Sequence, residues 1–457
     1  MFPRNVLATL EEWADSSGRK PMILRGARQV GKTEVGRLFG KRFKRFIYID
    51  LEEPGTGVLF RRGLKVRDLF QAILLKTGQP PTDGDTLLFL DEIQSCPEAV
   101  ESLRYFYEKL PEIHVIAAGS LLEIALHEQN IAFPVGRVQH LFLYPLSFKE
   151  YLTALDSDRA LAALETVPLP AFAEATLFEH FHRYTLVGGM PEVVATYLDK
   201  GDVAALGPVY ESLLVSYVDD VGKYAENKTM ATIMRHCIEA APHVAGRRIK
   251  FEGFGNSNYR SREVGEALRT LQRAMLISLQ YPSTSIEIPI VPDLKKSPRL
   301  QYLDTGLLNY SMGLQHHYFE NDTLHSFFKG ILAEQIVGQE LRAIGSTTRK
   351  KQCFWVREKS QSQAEVDFVV QYRDCVIPIE VKSGKVGRLR SLHQFMNRCP
   401  HGYAIRLYAG PLEISHVKTP EGKPFHLLNL PYFLASKVQD YVAWMMEKIQ
   451  ESDRNGG

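Results

Sequence analysis

The feature that most constrains this chain is a glycine-containing segment between a short apolar stretch and a helical stretch. Gly26-Ala27-Arg28-Gln29-Val30-Gly31-Lys32-Thr33 fits the pattern G-x-x-x-x-G-K-[ST]. The pattern requires a strand before it and a helix after it, and the apolar residues from Met22 and the residues after Thr33 meet both requirements. Backbone N–H groups of such a loop face phosphates, Lys32 would neutralise the β- and γ-phosphates, and the Thr33 hydroxyl would ligate Mg²⁺. The segment therefore predicts a nucleotide-binding P-loop.

A second motif supports this interpretation. The apolar run Leu87 to Leu90 predicts a strand that is covered on both faces, as in a parallel sheet, and it ends in Asp91-Glu92. Ligands bind at the carboxyl ends of such strands. Asp91 would contribute to the Mg²⁺ shell, and Glu92 would polarise the attacking water. An acidic pair can also simply close a strand, but its combination with the glycine loop favours a nucleotide site.

Two more strands, predicted over residues 45–53 and 114–123, fit the same sheet. Ser120 follows the second apolar run as Asp91 follows its own, so its hydroxyl would lie near the γ-phosphate. Arg137 comes seventeen residues later, ahead of a fifth strand-like segment. An arginine there would reach the nucleotide of a neighbouring subunit as a finger, or form an ordinary surface ion pair. Both interpretations of Arg137 stay open at the level of the sequence.

These motifs, together with Gly136-Arg137 and the Tyr-Pro-Leu-Ser-Phe that follows shortly, resemble the AAA+ ATPases of the archaeal-ATPase-like type. The resemblance covers residues 1–150. It implies an α/β domain with an ASCE P-loop core and a parallel sheet, and it implies that Mg-ATP is bound and hydrolysed. Members of this family often work as oligomers, so the resemblance also implies that this chain can form a homo-oligomer.

The middle of the chain is predicted to contain two smaller units. Residues 151–222 have helical periodicity and predict a helical lid, in which Gly188 to Glu192 forms either a connector or a nucleotide-sensing hinge. Residues 223–315 show helices followed by short strands, which is the order of a winged helix with its connector. One helical stripe there is apolar, and three arginines lie off it: Val264, Leu268, Leu271 and Met275 against Arg262, Arg269 and Arg273. This face would suit a DNA groove, although winged helices also serve as protein spacers.

A β-hairpin is predicted near the end of the chain. Its two strands alternate in AEVDFVV and VIPIEVK, and Arg373-Asp374 is the expected two-residue loop. In that register Asp367 lies opposite Glu380 and Glu365 lies opposite Lys382, so that all four share one face. The other face would hold four apolar residues, Val366, Phe368, Ile379 and Val381. Facing carboxylates repel, so a cation should compensate: Lys382 in part, or a Mg²⁺ ion between Asp367 and Glu380.

This arrangement resembles the PD-(D/E)xK nuclease superfamily, with Val366 in place of the usual proline. The likeness implies that Asp367 and Glu380 ligate metal, that Lys382 positions or deprotonates the attacking water, and that Glu334 on an upstream helix is a further ligand. Residues 316–457 would form this α/β domain. The whole chain looks like prokaryotic AAA+ ATPases that carry a nuclease-like C-terminal domain of unknown function.

Charge is distributed unevenly although the net charge is only +2. Residues 223–300 carry an excess of six basic side chains and residues 330–400 an excess of five, which indicates either a nucleic-acid partner or simply solvated basic faces. The winged-helix order makes DNA a more expected nucleic acid than RNA. The absence of a long apolar run predicts a cytoplasmic protein without a membrane partner. Two functions remain in competition: an ATPase that controls a metal-dependent nuclease, and an ATP-dependent switch whose C-terminal domain binds DNA or a protein without cutting.

Overall fold

The structure is a computed structural model. It describes residues 2–61, 63–80, 85–120, 134–222, 225–315, 330–345, 352–357, 364–384 and 387–455.

The N-terminal part is built on a five-stranded parallel sheet with the order β2-β3-β4-β1-β5. Its strands are β1 Met22–Arg25, β2 Arg45–Asp50, β3 Thr86–Asp91, β4 His114–Gly119 and β5 Gln139–Phe142. All four predicted strands and the fifth strand-like segment are present. Two of them are shorter than predicted: the strand predicted over 45–53 ends at Asp50, and the strand predicted over 114–123 ends at Gly119, with residues 121–123 outside the described ranges. Because β1, β4 and β3 are parallel, the P-loop after β1 and Asp91 at the end of β3 lie at the same edge of the sheet.

Helices cover this sheet on both faces. They are α1 Val6–Asp15, α2 Lys32–Gly40, α3 Val58–Arg61, α4 Val66–Lys76 and α5 Pro97–Lys109. Every residue of β3 is buried, as expected for a strand with helices above and below. Phe89 packs into the core on the α1 and α2 side, and its neighbours Leu88 and Leu90 pack into the core under α4 and α5.

The next segment is helical, as the sequence predicts for the lid. Its helices are α6 Phe148–Ala154, α7 Asp158–Glu165, α8 Glu174–Val187, α9 Pro191–Lys200 and α10 Gly207–Gly222. A capping box starts α6, because the Ser147 hydroxyl accepts from the Glu150 N–H and the Glu150 carboxylate accepts from the Ser147 N–H. Gly188 has a φ of 76° and separates α8 from α9.

Two further helices and two strands follow, and then a short helix. Their bounds are α11 Lys228–Val244, α12 Ser261–Arg273, β6 Ile277–Ser283, β7 Arg299–Tyr302 and α13 Thr305–Ser311. The predicted apolar stripe is confirmed, since Val264, Leu268 and Leu271 are fully buried and Met275 is nearly so. Arg262 and Arg269 are exposed on the opposite face.

The C-terminal part has one long helix, six strands and two later helices. These are α14 Ile331–Ala343, β8 Cys353–Val356, β9 Glu365–Tyr372, β10 Cys375–Val381, α15 Arg390–Arg398, β11 Tyr403–Tyr408, β12 Glu413–Lys418, β13 Pro424–Pro431 and α16 Val438–Asn455. The strands belong to an eight-stranded sheet with the order β12-β13-β11-β10-β9-β8-β6-β7. β6 pairs in parallel with β8 and antiparallel with β7, so strands from both sides of residue 315 share one sheet.

The predicted hairpin register is confirmed. Cys375 pairs with Tyr372 and Ile379 with Phe368, and Arg373 in the loop has a φ of 51°. One detail of the alternation is wrong: Val366 packs in the core beside Trp355, whereas Phe368 packs in the other core. The register between β8 and β9 shifts between Cys353 and Trp355, and this irregularity breaks the strict alternation of β9.

One hydrophobic core joins the two halves of the chain. It extends from α1 through the helical lid to α14 and α16. In the parts of the chain that the structure covers, we find no helix with the length and apolar character needed to cross a membrane.

Candidate functional site

The P-loop has the backbone shape that its sequence requires. Gln29 and Gly31 have φ values of 62° and 96°, both in the left-handed region. A Cβ on Gly26 would come within 2.5 Å of the Leu143 carbonyl oxygen, so this position has room only for glycine. The loop ends where α2 begins at Lys32, so the N-terminal N–H groups of the helix point into the loop.

Lys32, Thr33 and Asp91 meet at the start of α2. The Lys32 ammonium donates to the carbonyl oxygens of Gly26 (3.1 Å) and Ala27 (2.9 Å). Burial lowers the pKa of Lys32 to about 8, although the charges of Glu92 and Asp91 oppose this shift. The Thr33 hydroxyl donates to Asp91 Oδ2 at 2.6 Å. A hydroxyl and a carboxylate at this separation are a donor set that suits Mg²⁺.

A residue that the sequence interpretation missed also contacts this acid. Tyr48 on β2 donates its hydroxyl to Asp91 Oδ2 at 3.1 Å. Burial and the negative charge of Asp91 raise the pKa of Tyr48 to about 12. The contact fixes the orientation of Asp91, and its signal in the sequence is the alternation of β2, which points Tyr48 to one face of the sheet.

Glu92 lies in a strained turn just after β3. Its φ is 48°, which is unusual for a residue with a Cβ, and its Oε2 accepts from Gln94 Nε2 at 2.6 Å. Burial raises its pKa, and the hydrogen bond from Gln94 and the charge of Lys32 oppose this. Strained backbone of this kind is concentrated at functional sites.

A cavity of about 520 Å³ opens between the P-loop and the lid. Its lining includes Lys32, Thr33 and Glu92 from the sheet domain and Pro191 and Glu192 from α9. The sequence interpretation placed Lys32, Thr33 and Glu92 together, and the structure confirms that they face one space. Asp91 and Ser120 are buried at the carboxyl ends of β3 and β4, outside the described cavity lining.

The P-loop is also tied to the lid. Arg28 forms an ion pair with Asp220 on α10, and the Tyr217 hydroxyl donates to the Arg28 carbonyl oxygen at 3.1 Å. Asp220 is 6% exposed, so its charge is compensated inside the protein. No motif in the sequence indicates this pair, because the two residues are far apart along the chain.

Arg137 lies elsewhere in the domain. Its guanidinium forms an exposed ion pair with Glu108 on α5 at 3.4 Å. Within one chain Arg137 therefore forms a surface ion pair, which is one of its two predicted roles. The other role, as a finger, requires a neighbouring subunit.

The predicted C-terminal site residues come together at β9, β10 and α14. Asp367 and Glu380 are each 6% exposed, and Lys382 donates to Glu380 Oε1 at 2.6 Å. Asp367 Oδ2 accepts from the Val381 N–H at 2.8 Å, which anchors it against the neighbouring strand. Glu334 on α14 joins them through an arginine that the sequence interpretation missed.

That arginine is Arg299, the first residue of β7. Its Nη1 lies 3.1 Å from Glu334 Oε2, and its Nη2 lies 3.3 Å from Asp367 Oδ1. Its Nε donates to Glu365 Oε1 at 2.6 Å. The guanidinium also stacks over the ring of Phe354 at 4.8 Å. We call Glu334, Glu365, Asp367 and Glu380 the carboxylate cluster.

The carboxyl groups of the cluster are largely buried and lie close together, which disfavours their ionised forms. Burial, followed by the charge of Asp367, raises the pKa of both Glu334 and Glu380. Glu380 Oε2 is buried without a hydrogen-bond partner among the described residues. Within the described ranges, no group of three or more His, Cys, Asp or Glu side chains is arranged to hold a metal ion. The metal role of Glu334, Asp367 and Glu380 therefore stays a prediction.

Basic side chains surround the cluster at the surface. Arg248 forms an ion pair with Glu365 at 3.7 Å. The Glu365 N–H donates to the Ser391 hydroxyl, which places the start of α15 beside the cluster. Other exposed basic residues stand next to these contacts in the chain: Arg247, Lys250, Arg388 and Arg390. This surface is suited to a polyanion.

Comparisons with known proteins match three parts of the chain. Residues 18–152 match the family described as AAA domain, and residues 178–318 and 329–421 match two families described as domains of unknown function, DUF8612 and DUF4143. The N-terminal part is thus similar in sequence and architecture to ATPases of the AAA P-loop type, which supports the resemblance stated from its motifs. A search of curated proteins gave no match.

Several solved structures are similar to this chain. A Walker-type ATPase of Pyrococcus abyssi has 17% identity and a TM-score of 0.44, with 68% of this chain and 96% of that chain covered. The ORC1 protein of Aeropyrum pernix in complex with DNA has 12% identity and a TM-score of 0.31, with 69% and 92% covered. The RuvB Holliday junction branch migration motor of Thermotoga maritima has 14% identity and a TM-score of 0.28, with 61% and 90% covered.

Proposed function

We propose that this chain is an Mg-ATP-hydrolysing switch that controls a nuclease-like C-terminal site acting on nucleic acid, with DNA favoured over RNA. The observation that carries the first half is the convergence of Lys32, Thr33 and Glu92 on one cavity, with Asp91 hydrogen bonded to Thr33. We divide the chain as its sequence predicts, into an ATPase domain (1–150), a lid (151–222), a winged-helix-like unit (223–315) and a nuclease-like domain (316–457).

The residues around the cavity have distinct parts in ATP hydrolysis. The loop N–H groups and Lys32 bind the phosphates, and Lys32 exchanges the carbonyl oxygens of Gly26 and Ala27 for phosphate oxygens. Thr33 and Asp91 would hold Mg²⁺, which when bound neutralises phosphate charge. Glu92, oriented by Gln94, accepts a hydrogen bond from the attacking water.

Matched variants test this assignment. Glu92→Gln should bind ATP but hydrolyse it about a hundredfold more slowly. Lys32→Ala should lose ATP binding itself. Glu101→Gln changes an exposed acid on α5 in the same way and should behave as the wild type. Wild-type hydrolysis by Glu92→Gln, measured as phosphate release, would remove Glu92 from the mechanism.

A buried polar path supports communication between the two halves. Asp304 accepts from the Gly189 N–H at 2.6 Å, in the loop that leads to Pro191 at the cavity. Asp304 also caps α13 and accepts from Gln339 on α14 at 3.3 Å. Arg299 lies on β7, which ends just before Asp304. A movement of the lid loop therefore acts on β7, which carries Arg299, and on α14, which carries Glu334.

The path leaves little room for adjustment at the lid. A Cβ on Gly188 would lie 2.1 Å from Asp304 Oδ1, and a Cβ on Gly189 would lie 2.2 Å from the Leu146 carbonyl oxygen. These contacts favour the hinge interpretation of Gly188 to Glu192 over a simple connector, because a tightly packed loop transmits displacement.

The carboxylate cluster and its basic rim support a nucleic-acid substrate. Asp367, Glu380 and Lys382 stand in the order of a PD-(D/E)xK site, with Lys382 hydrogen bonded to Glu380 and thus close to the acids. Mg²⁺ would be held by Asp367, Glu380 and Glu334, and it would supply an activated water. The exposed Arg262 and Arg269 on α12 extend the basic surface through the winged-helix-like unit.

The alternative function is an ATP-dependent switch that binds nucleic acid or a protein without cutting. It is favoured by one observation, the Arg299 guanidinium between Glu334 and Asp367. Purified protein incubated with DNA or RNA, Mg²⁺ or Mn²⁺, with and without ATP, separates the two. The nuclease is supported if the wild type cuts nucleic acid and Asp367→Asn does not. The exposed control Asp374→Asn should still cut. Binding without cutting under all these conditions supports the alternative.

Oligomer formation is part of the proposal. A homo-oligomer would bring Arg137 of one subunit to the nucleotide of the next, and its exposed position allows this. ATP hydrolysis by a mixture of Arg137→Ala and Lys32→Ala chains would then recover in part, whereas each variant alone stays inactive.

A further inference from the structure

The positive charge of Arg299 already balances part of the negative charge of the carboxylate cluster. The guanidinium uses Nε, Nη1 and Nη2 to contact Glu365, Glu334 and Asp367, which come from two different elements. Arg299 is only 8% exposed. A buried pair of this kind is strongly coupled, because removal of one partner leaves the opposite charge without solvent or counter-ion.

The backbone holds Arg299 in this place. It pairs with Gln280 of β6 on one side and forms a bridge with Arg248 on the other. Its guanidinium lies over the Phe354 ring, a contact that is favourable for a planar cation. Arg299 is therefore part of β7, at one end of the sheet that also contains the Asp367 strand β9, rather than a residue of a loop.

Four of the carboxylate oxygens that a metal ion would need are already in use. Asp367 Oδ1 contacts Arg299, and Asp367 Oδ2 accepts from the Val381 N–H. Glu334 Oε2 contacts Arg299, and Glu380 Oε1 accepts from Lys382. A divalent cation requires several oxygens at about 2.0 to 2.6 Å. At that distance it would lie close to the guanidinium, and two cations in one small buried site repel.

We propose that Arg299 is the resident cation of the carboxylate cluster and that its guanidinium and a divalent cation occupy the cluster in alternation. The inference deepens the proposed function and rests on its assignment of Asp367 and Glu380 as metal ligands. The resting protein then has a closed C-terminal site, and withdrawal of Arg299 is the step that opens it. A purely structural ion pair would differ, because removal of the arginine would then produce no Asp367-dependent metal binding.

Direct metal binding tests the proposal without any catalytic readout. Mn²⁺ is titrated into the full chain without nucleotide, and binding is followed by calorimetry and by electron paramagnetic resonance. Arg299→Met keeps much of the apolar stem but removes the charge, and it should bind Mn²⁺ at least about tenfold more tightly than the wild type. The gain should vanish in Arg299→Met/Asp367→Asn. Arg159→Met, which changes an exposed arginine on α7, should match the wild type.

Each outcome decides the question. Equal, Asp367-dependent Mn²⁺ binding by the wild type and by Arg299→Met would overturn the proposal, and so would failure of both to bind. If Arg299→Met does not fold, as judged by circular dichroism, Arg299→Gln takes its place. Glutamine also removes the charge but keeps a polar side chain, so this variant must bind Mn²⁺ more tightly than the wild type. A chain that never cuts nucleic acid can still pass this test, so the two proposals fail separately.

Discussion

Glu340 on α14 offers a quantitative test of how the two halves of the chain are joined. It is fully buried, and its Oε1 accepts from the Phe148 N–H at 3.0 Å and from the Tyr184 hydroxyl at 2.8 Å. Burial raises the pKa of Glu340 from 4.5 to about 7, although the hydrogen bonds from Tyr184 and Phe148 oppose this shift. The carboxyl group is therefore largely protonated in the folded protein slightly below neutral pH.

The sign of the effect on stability follows from proton binding. Below pH 4.5 both the folded and the unfolded chain hold the Glu340 proton. Between pH 4.5 and about 7 the folded chain still holds it and the unfolded chain has lost it, so the free energy of unfolding falls as the pH rises. At about 1.4 kcal/mol for each pKa unit, the whole interval lowers the stability by about 3 kcal/mol.

Glu340→Gln removes this dependence, because an amide stays neutral at every pH. The free energy of unfolding of both proteins is measured by urea unfolding, followed by circular dichroism. From pH 5 to pH 8 the wild type should lose about 3 kcal/mol of stability relative to the variant. Glu447→Gln, an exposed acid on α16, should show no such shift. If the difference in stability between the wild type and the variant is the same at both pH values, burial does not raise the pKa of Glu340.

Three further predictions concern the nucleotide pocket and the C-terminal core. Gly189→Ala should lower the melting temperature and the rate of ATP hydrolysis, because its Cβ would lie 2.2 Å from the Leu146 carbonyl oxygen. Gly18→Ala is the control and should change neither, since a Cβ at Gly18 meets nothing within 4 Å. Arg28→Met removes the ion pair between the P-loop and Asp220 on α10 and should weaken ATP binding, measured by fluorescent nucleotide titration; equal affinity would contradict this. Trp355→Ala should lower the free energy of unfolding by about 3 to 5 kcal/mol, measured by urea unfolding, since Trp355 is fully buried.

Local patterns in the sequence predicted the parts of the sites whose determinants lie within a few residues. The P-loop is such a case, because glycines and Lys32 act through the backbone around them. The hairpin is another, because a two-residue loop at Arg373 fixes the pairing of every later residue. Both placements required no knowledge of the rest of the chain.

Contacts between distant segments could not be predicted in this way. Arg299 and Glu365 are 66 residues apart, and Arg28 and Asp220 are 192 apart. Each of these arginines is unremarkable in its own segment, and each becomes important only when a second element supplies a carboxylate. The basic excess in residues 223–300 was visible in the sequence, but it gave no sign that Arg299 points inward.

The sharing of one sheet by segments on both sides of residue 315 has a consequence for how these segments can exist. A fragment that begins at residue 316 would keep Glu334, Asp367 and Glu380 but lose Arg299. It would leave several buried acids without their cation, at a cost of about 3 to 5 kcal/mol. It would also uncover the edge of β8, and bare strand edges pair with other chains. We therefore expect the segment from residue 316 onward to fold as a stable unit only together with the strands that precede it.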